Sequence, residues 1–370
     1  MTHPHRNSKR RSICAELRTA ILDGRHKPGD YLPTEEELVL TYGVSRPTVA
    51  GAMEDLVAEG LISRRRGVGT VVIQWQGAQT EVAVQRLGLL IPGLGRTEIF
   101  EPICAQIAAM ADSRGFHVMW GGGGDTDEDP STAALALSRR FVEQRTTGVF
   151  FAPLELGENC EDVNRQILDS FSRAGIQVVL LDRDIGPFPR RSDCDLVCLD
   201  NLRGGYMLAA HFLRRGITRL DFLALPYSAQ TITQRLAGVR TALADINVHM
   251  PPEWVHTGSP EDLKWVQEMV DGGARTIICA NDITAAKLMV TLDELKLRVP
   301  TDVRVAGFDD VKYAAMLRVP LTTVHQPCSA IGQTAFRTML ERLESPKRPV
   351  RKIMLSPELI VRRSCGCGNA

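Results

Sequence analysis

Residues 33–72 (PTEEELVLTYGVSRPTVAGAMEDLVAEGLISRRRGVGTVV) constrain the fold of this chain more than any other stretch. Thr34 precedes an acidic and apolar run and has Glu37 three residues later. This spacing is a capping box, so we expect a helix from Thr34 to about Tyr42. Gly43 then permits the positive φ of a sharp turn. The pattern predicts a second helix directly after that turn.

The second helix is expected to begin at Ser45, whose side chain would cap it. Pro47 is tolerated in a first turn, where the amide protons lack helical partners. Four apolar residues recur at helical spacing and predict a buried face, namely Val49, Met53, Leu56 and Val57. We expect the first turn to present Ser45, Arg46 and Thr48 to the outside. This is the helix-turn-helix plan, in which the second helix enters the major groove of DNA.

A basic hairpin is predicted after the second helix. Gly60 ends the helix, a strand begins at Leu61, and the arginines at 64–66 lead into glycines 67 and 69 before the apolar residues 71–73. Such a wing can approach DNA closely and direct guanidinium groups to phosphates or the minor groove. The alternative is a solvated helix pair followed by an ordinary hairpin.

Residues 12–74 resemble the winged-helix domain of the GntR family of bacterial regulators. The matching segments are Pro28-Gly29, residues 32–35 (LPTE), 44–49 (VSRPTV), 60–62 (GLI), Arg66 and 67–70 (GVGT). The resemblance implies DNA contacts from Ser45, Arg46, Thr48, Arg66, Gly67 and Gly69. Thr34 and Arg64 complete our set of candidate DNA-binding residues. The sequence departs from the family at Glu36 and Ala50, where many members carry arginine, so the sequence preference of relatives does not transfer.

The chain has 370 residues, which suggests two or three domains. It carries 44 basic and 44 acidic residues, so affinity for nucleic acid has to come from a local patch. Neither an N-terminal apolar segment nor a run long enough to span a membrane is evident in the sequence, so we expect a cytoplasmic protein without membrane contacts. We assign residues 1–75 to the DNA-binding domain, 76–85 to a linker, and 86–370 to an effector-binding and dimerisation domain.

Short apolar runs alternate with longer amphipathic stretches from Arg86 onward. The runs are residues 87–91, 116–120, 149–151, 178–181, 196–199, 220–225, 276–279 and 303–307. Near-continuous apolar strands separated by helices predict an α/β fold with parallel sheets covered on both faces. The length suits two adjoining α/β subdomains, and a ligand is expected at the carboxyl ends of the strands, in the cleft between them.

Polar side chains follow several of these predicted strands. Asp182 and Arg183 follow one strand, Asn281 follows a second and Asp309 a third, while Arg235 lies in an early turn of a helix. Phe100 opens the helix after the first strand of this region. Acidic, amide and guanidinium groups beside an aromatic ring suit a polyhydroxylated ligand, because each hydroxyl both donates and accepts a hydrogen bond. Any one of these residues taken singly is better explained as a strand-end cap or a surface ion pair.

Residues 86–363 resemble the effector domain of LacI-type regulators, which share the periplasmic sugar-binding-protein fold. The segments that carry the resemblance are 86–92 (RLGLLIP), 180–184 (LLDRD), 234–239 (QRLAGV), 279–286 (CANDITAA), 305–310 (VAGFDD), 320–327 (PLTTVHQP) and 357–365 (PELIVRRSC). Joined to a GntR-type winged helix, this arrangement resembles the arabinose-repressor type. It implies effector contacts from Phe100, Asp182, Arg183, Arg235, Asn281 and Asp309, and dimerisation through this domain. The loop 93–97 departs from the common pattern, so the identity of the sugar does not transfer.

We expect neither a metal site nor a cofactor. The histidines at 211, 249, 256 and 325 lack metal-ligand spacing, and the nine cysteines include no paired C-x-x-C arrangement. Cys365 and Cys367 form one close pair, for which a metal or redox role is the alternative and a frayed terminus the simpler explanation. The glycines at 121–124 lack the Lys-Ser/Thr of a phosphate-binding loop. Asp309-Asp310 has no adjacent nucleophile, so we do not expect an enzyme.

The sequence therefore predicts a sequence-specific DNA-binding regulator, expected to be a repressor. A homodimer would bind double-stranded operator DNA, and a small sugar-like effector in the cleft would control its affinity. A non-sugar effector or a corepressor remains an alternative. Two further alternatives are a sugar-converting enzyme with an added DNA-binding domain and a DNA-binding protein whose cleft serves assembly alone.

Overall fold

The computed structural model describes residues 4–65, 69–73, 85–92, 94, 98–121, 129–187 and 189–367. The chain divides into two compact units, residues 1–84 and 85–370. Most of the expected linker at 76–85, the wing residues Arg66 and Gly67, and most of the 93–97 and 121–124 loops lie outside the described residues. Each unit is described separately.

The first unit contains three helices and one hairpin. These elements are α1 (Pro4–Leu22), α2 (Glu35–Tyr42), α3 (Arg46–Ala58), β1 (Ile62–Arg65) and β2 (Gly69–Val72). The strands are antiparallel, with Ile62 opposite Val72 and Arg65 opposite Gly69. One apolar cluster joins them and includes Ile13, Leu17, Leu38, Val49, Met53, Leu56, Ile62 and Val72. The helix-turn-helix and the hairpin predicted from residues 33–72 are both present.

The start of α2 has the predicted capping box. The Glu37 amide donates to the Thr34 hydroxyl at 3.3 Å, and the Thr34 amide donates to the Glu37 carboxylate at 2.7 Å. Gly43 ends the helix with φ of 57°. Both signals satisfy backbone groups that a helix terminus leaves without partners.

The start of α3 differs from the prediction in two respects. Ser45 occupies the N-cap position, but its side chain makes no hydrogen bond to the helix backbone. Its hydroxyl instead lies 2.9 Å from the Thr48 hydroxyl. Thr48 is only 6% exposed, so the expectation that it faces outward is wrong. At the other end of α3, Val57 is 41% exposed and lies off the buried face to which the spacing assigned it.

The second unit contains two parallel sheets. The strands of the first sheet are β3 (Arg86–Leu90), β4 (His117–Trp120), β5 (Gly148–Phe151), β6 (Gln177–Leu181), β7 (Asp195–Leu199) and β13 (Lys352–Leu355). Those of the second are β8 (Asp221–Ala224), β9 (Val255–Thr257), β10 (Thr276–Cys279) and β11 (Arg304–Ala306). The six strands of the first sheet lie in the order β13-β7-β6-β5-β3-β4, and the four of the second in the order β11-β10-β8-β9. An antiparallel pair joins β12 (Thr323–His325) to β14 (Glu358–Ile360).

Helices alternate with these strands along the chain. They are α4 (Phe100–Asp112), α5 (Pro130–Glu143), α6 (Cys160–Arg173), α7 (Asn201–Leu213), α8 (Gln230–Ala244), α9 (Leu263–Asp271), α10 (Asp282–Glu294) and α11 (Cys328–Glu344). All eight apolar runs identified in the sequence are strands, so the predicted α/β class with parallel sheets is confirmed. Strands β9, β12, β13 and β14 were not predicted, because their residues are only partly buried or alternate with polar ones.

The second unit has two lobes. The first lobe, residues 85–199 and 328–355, carries the six-stranded sheet; the second lobe, residues 201–325 and 358–367, carries the four-stranded sheet. The chain therefore passes between the lobes three times, after β7, after β12 and after β13. Each lobe has its own apolar clusters around its sheet. A cleft lies between the two lobes.

Helices α7 and α8 of the second lobe pack with their backbones in direct contact. A Cβ atom at Gly205 would lie 1.9 Å from the Arg235 carbonyl oxygen, and one at Gly238 would lie 2.0 Å from the Leu202 carbonyl oxygen. Only glycine permits this approach, since any side chain would overlap backbone atoms. The contact fixes the position of α8, the helix that carries Arg235.

Candidate functional site

A cavity of about 260 Å³ lies between the two lobes of the second unit. All six effector-site candidates from the sequence line it: Phe100, Asp182, Arg183, Arg235, Asn281 and Asp309. They come from both lobes and stand at the carboxyl ends of β6, β10 and β11 or at the starts of neighbouring helices. The parallel topology brings these ends to one place because every strand of a parallel sheet ends at the same edge.

Asp182 and Arg183 form the acidic and basic pair of the first lobe. Arg183 Nη1 lies 2.8 Å from Asp182 Oδ2 and 2.9 Å from Glu155 Oε1. Arg183 Nε donates to the Pro153 carbonyl at 2.8 Å. The second carboxylate oxygen of Asp182, Oδ1, is buried and has no hydrogen-bond partner among the described residues. A buried acceptor without a partner is costly, so Oδ1 is suited to receive a hydrogen bond from a ligand in the cavity.

Arg235 and Asp309 form the matching pair of the second lobe. Arg235 donates to Asn201 Oδ1 at 2.8 Å, to the Ala280 carbonyl at 2.6 Å and to Asp309 Oδ1 at 3.3 Å. Its guanidinium carbon lies 3.7 Å from the centre of the Phe308 ring, which holds it in a cation–π contact. Burial raises the pKa of Asp309 to about 6, although Arg235 opposes the shift. Four contacts therefore fix Arg235, and its geometry is set before a ligand arrives.

Two of the candidates have unusual backbone conformations. Asp182 has φ of 67° and Asp309 has φ of 116°, and both values lie in the region that favours glycine. Residues held in such conformations require support from the surrounding structure and are concentrated at functional sites. The strain at both carboxylates is consistent with their placement at the cavity.

Asn281 and Phe100 complete the predicted set. The Asn281 side-chain oxygen accepts from the Thr284 amide at 2.9 Å and so caps α10. The side-chain nitrogen of Asn281 is then the group that is available to donate a hydrogen bond to a ligand. Phe100 lies with its ring 5.8 Å from the Arg183 guanidinium carbon and provides an apolar face.

Several lining residues were not identified from the sequence. The polar ones are Glu155, Ser228, Thr231, Glu261, Thr284 and Lys287. Glu155 lies in a loop four residues after β5, and Lys287 lies in the second turn of α10 rather than at its start. A search along each predicted strand into the following loop would have found Glu155. Lys287 pairs with Glu261 at 2.7 Å, a contact that the sequence gives no means to foresee.

Three hydrogen bonds join the lobes beside the cavity, and we call them the inter-lobe latch. The Leu156 amide donates to the Tyr227 carbonyl at 3.0 Å, and the Tyr227 hydroxyl donates to Glu158 at 2.6 Å. The Ala229 amide lies 3.3 Å from the Glu155 carboxylate, to which it donates. Leu156 and Tyr227 have φ of 64° and 56°, so the latch is formed by strained backbone on both sides.

Asp282, next to the lining residue Asn281, is a buried carboxyl group that accepts two hydrogen bonds. It accepts from the Thr323 hydroxyl at 2.6 Å and from the Val311 amide at 3.0 Å. Burial raises the pKa of Asp282 to about 8, and the nearby negative charge of Asp309 acts in the same direction. At neutral pH this carboxyl group therefore retains a proton that an unfolded aspartate loses.

The raised pKa of Asp282 predicts a pH-dependent stability. The native state holds the Asp282 proton more tightly than the unfolded state, so this contribution to stability is present below pH 3.8 and is lost as the pH rises through about 8. We expect the free energy of unfolding of Asp282→Asn to increase relative to that of the wild type as the pH rises from 5 to 8. Urea denaturation of both proteins measures this difference. The partly exposed Asp302, whose pKa is lowered to about 2 by Arg298, provides the control: Asp302→Asn should show no such change relative to the wild type. A difference between Asp282→Asn and wild type that stays constant over this range would contradict the prediction.

The first unit presents two of the DNA-binding candidates side by side. The Arg46 side chain, at the N-terminus of α3, is 68% exposed, and its Nε lies 3.3 Å from Glu35 Oε2. Arg64, on the hairpin, binds the other oxygen of the same carboxylate. Glu35 thus holds the arginine of the helix next to the arginine of the hairpin, which creates a local cationic patch in a chain with no net charge.

The other DNA-binding candidates are placed unevenly. Thr34 and Ser45 are exposed at the starts of α2 and α3, whereas Thr48 is buried beneath Ser45. Gly69 has φ of 120° at the start of β2, a value that only glycine adopts readily, with the Tyr31 ring 3.2 Å from the position of a Cβ atom. Arg66 and Gly67 lie outside the described residues. The exposed candidates are thus Thr34, Ser45, Arg46 and Arg64, with Gly69 at the hairpin.

Two family models match this chain. The model of bacterial regulatory proteins of the gntR family matches residues 9–72, and that of the periplasmic binding protein-like domain matches residues 209–365. A relative named HTH-type transcriptional repressor PurR, from Mannheimia succiniciproducens, is 30% identical over 245 residues, which are 65% of this chain and 70% of the relative. The chain belongs to the LacI-type family of transcriptional repressors. Its GntR-type winged helix and its LacI-type second unit confirm the combination that the sequence predicts.

Other members and solved structures agree with this assignment of a LacI-type regulator. A PurR repressor from Aliivibrio salmonicida is 28% identical over 61% of this chain and 66% of its own length. The regulator CcpA of Lactococcus lactis matches with a TM-score of 0.65 and 18% identity, over 76% of this chain and 99% of that one. The CelR–cellobiose complex matches with a TM-score of 0.64 and 21% identity, over 90% of this chain and 100% of that one. At these identities the solved structures show a shared fold.

This LacI-type protein is a DNA-binding transcriptional regulator, and the relatives that it matches are regulators too. Among the described residues, the helices are too short or too polar to cross a bilayer.

Proposed function

We propose that this LacI-type regulator is a homodimeric repressor whose affinity for operator DNA is controlled by a neutral, sugar-like molecule bound in the cavity between the lobes. The observation that carries the proposal is the convergence of six polar and aromatic side chains, chosen from sequence alone, on one cavity. In this proposal residues 1–75 bind DNA, 76–85 link the two parts, and 86–370 bind the effector and dimerise. Solved relatives in complex with ribose and cellobiose support the ligand class.

The charges around the cavity favour a neutral ligand over an anionic one. Each cation that lines it already contacts a carboxylate: Arg183 contacts Asp182, Arg235 contacts Asp309, and Lys287 contacts Glu261. A phosphate group would have to displace one of these carboxylates from its partner, and the buried pairs of Arg183 and Arg235 separate only at a large cost. Hydroxyl groups, in contrast, can donate to the vacant oxygen of Asp182 without breaking an ion pair.

The apolar part of the lining supports a second candidate, a non-sugar effector with a flat ring. Ile99, Phe100, Leu156, Ile232 and Ile283 also line the cavity. An aromatic ring can stack on Phe100, which a sugar does less completely. Such an effector would act as an inducer or as a corepressor, and the cavity geometry is compatible with either role.

The proposed mechanism couples the cavity to DNA through the arrangement of the two lobes. An effector that bridges Asp182 of the first lobe and Asp309 of the second favours one relative arrangement of the lobes. In a dimer that joins through this unit, the change alters the spacing of the two winged helices. Thermodynamic linkage then requires that an effector which weakens DNA binding is itself bound more weakly by the DNA complex.

The experiment that tests this proposal is a thermal-shift screen of the full chain. The panel contains pentoses, hexoses, uronic acids, sugar phosphates and nucleobases. A ligand at 100 times its Kd stabilises the native state by about 2.7 kcal/mol, which is easily detected. We expect a neutral sugar to stabilise the protein and its phosphate ester not to do so. A nucleobase hit would favour the flat-ring alternative, and the absence of any hit would contradict both.

A further inference from the structure

A nitrogen and two sulfur atoms from distant parts of the sequence meet in the second lobe. His211 lies in the last turn of α7, Cys365 ends a short 3-10 helix at residues Arg363–Cys365, and Cys367 follows Gly366. One ligand atom from each of the three side chains lies within 4.8 Å of the other two. None of these residues lines the effector cavity. The cluster is therefore separate from the site on which the proposed function depends.

His211 has a ring nitrogen that is free for a ligand. The residue is only 5% exposed, and its Nε2 has no hydrogen-bond partner within the part of the chain that the structure describes. The other ring nitrogen, Nδ1, lies 3.2 Å from Nη1 of Arg215. A buried polar atom without a partner requires an explanation, and a bound ion is one of the few available.

The two thiols differ in acidity. Burial raises the pKa of the Cys365 thiol, but the close approach of the His211 ring, Thr322 and Cys367 outweighs this effect and holds the pKa below its ordinary value. Burial and the neighbouring Cys365 raise the pKa of Cys367, although Arg215 and Arg304 oppose the rise. A cation binds each of these side chains as the thiolate, so both thiol protons are displaced when it binds.

The backbone between Cys365 and Cys367 brings both sulfur atoms close to His211. Gly366 has φ of 70°, which turns the chain sharply between the two cysteines. The preceding residue is fixed as well, because the Ser364 hydroxyl donates to the Val305 carbonyl at 2.6 Å and accepts from the Thr322 amide at 2.8 Å. This anchoring of the 3-10 helix to β11 and its neighbour holds Cys365 in place opposite His211. The segment is built into the second lobe, which is not how a frayed terminus behaves.

We propose that His211, Cys365 and Cys367 bind a single thiophilic divalent cation of the zinc type. Imidazole nitrogen and thiolate sulfur are the ligands that zinc prefers, and four-coordinate geometry leaves one position for water or an added ligand. The cation takes the place of the thiol protons of Cys365 and Cys367, which are released to solvent. The ion would join the end of the chain to α7, the helix whose first residue, Asn201, holds Arg235 at the effector cavity.

Binding through Nε2 sets one requirement on the neighbourhood. The imidazole proton has to reside on Nδ1, where Arg215 now directs a donor. Arg215 is exposed and can turn toward solvent, away from Nδ1. The site is therefore able to adopt the tautomer that a metal-bound histidine needs.

Cobalt binding to the full chain tests the proposal. Protein kept reduced and freed of metal by a chelator is titrated with Co²⁺, and absorption from thiolate-to-cobalt charge transfer is recorded before and after addition of Zn²⁺. We expect one equivalent of Co²⁺ with thiolate absorption, which Zn²⁺ displaces. Cys367→Ser should weaken Co²⁺ binding at least tenfold and reduce this absorption. Cys160→Ser, a partly buried cysteine of the first lobe, should bind Co²⁺ as the wild type does.

Three outcomes would overturn the metal site. The first is the absence of thiolate-to-cobalt absorption in the reduced wild type, and the second is equal affinity in Cys367→Ser and wild type. The third is an equal loss in Cys160→Ser, which would indicate adventitious binding to thiols. Because Cys367 is partly exposed, its replacement should leave the far-ultraviolet circular dichroism unchanged, which confirms that the variant is folded.

Discussion

Arg46→Ala is expected to lower operator affinity by about 1–3 kcal/mol, or roughly 5- to 150-fold, and to relax the preference for the operator over unrelated DNA. Arg46 is the first residue of α3 and projects into solvent, where an arginine can reach base edges in the major groove. Its one carboxylate contact, with Glu35 at 3.3 Å, is long and does not prevent that role. The operator is first selected from random duplex DNA, and affinities are then measured by fluorescence anisotropy at fixed salt.

Arg25→Ala is the matched control for this experiment. Arg25 is also an exposed arginine of the first unit paired with a carboxylate, that of Asp23, but it lies in the turn after α1. Its removal deletes one positive charge without touching α3, so specificity should be unchanged. If Arg46→Ala binds the selected duplex as tightly as the wild type does, α3 is not the helix that recognises DNA.

Asp182→Asn is expected to weaken effector binding by about 1.5–3 kcal/mol, or roughly 10- to 150-fold. Asp182 lines the cavity and its buried Oδ1 has no described partner, so a ligand hydroxyl that donates to it would make a charge-assisted bond. The amide keeps the shape of the side chain but removes the charge. The dissociation constant of whichever ligand the thermal screen identifies is measured by titration calorimetry.

Asp184→Asn separates this effect from a general disturbance of the same loop. Asp184 is also buried but accepts from the amides of Ile185 and Ser192, away from the cavity lining. We expect Asp184→Asn to bind the effector as the wild type does, even if its melting temperature falls. Equal dissociation constants for Asp182→Asn and wild type would remove Asp182 from the proposed site.

The parts of the fold that the sequence predicts well are those whose signals are local. The capping box at Thr34 and the eight apolar runs depend on residues close together in the chain, and the structure contains all of them. The six cavity residues are distant in sequence, but they could be predicted together because parallel strands all end at the same edge of a sheet. The topology alone therefore indicates that residues following different strands lie close together.

The features that were missed depend on contacts between distant segments. Thr48 has the spacing of an exposed residue, but the Ser45 hydroxyl and the surrounding core enclose it. Strand β13 lies at the edge of its sheet with alternate residues exposed, so it has no continuous apolar run. His211 and Cys365 meet only through the packing of α7 against the end of the chain, and their spacing in sequence gives no metal-ligand pattern.

The inter-lobe latch has a consequence for the kinetics of the regulator. Leu156, Tyr227 and their partners join the two lobes beside the cavity, so the lobes move apart there only when these hydrogen bonds break. Exchange of an effector through such an opening makes both the association rate and the dissociation rate depend on how often the bonds break. We therefore expect the latch at Leu156 and Tyr227 to slow the response of the regulator to a change in effector concentration.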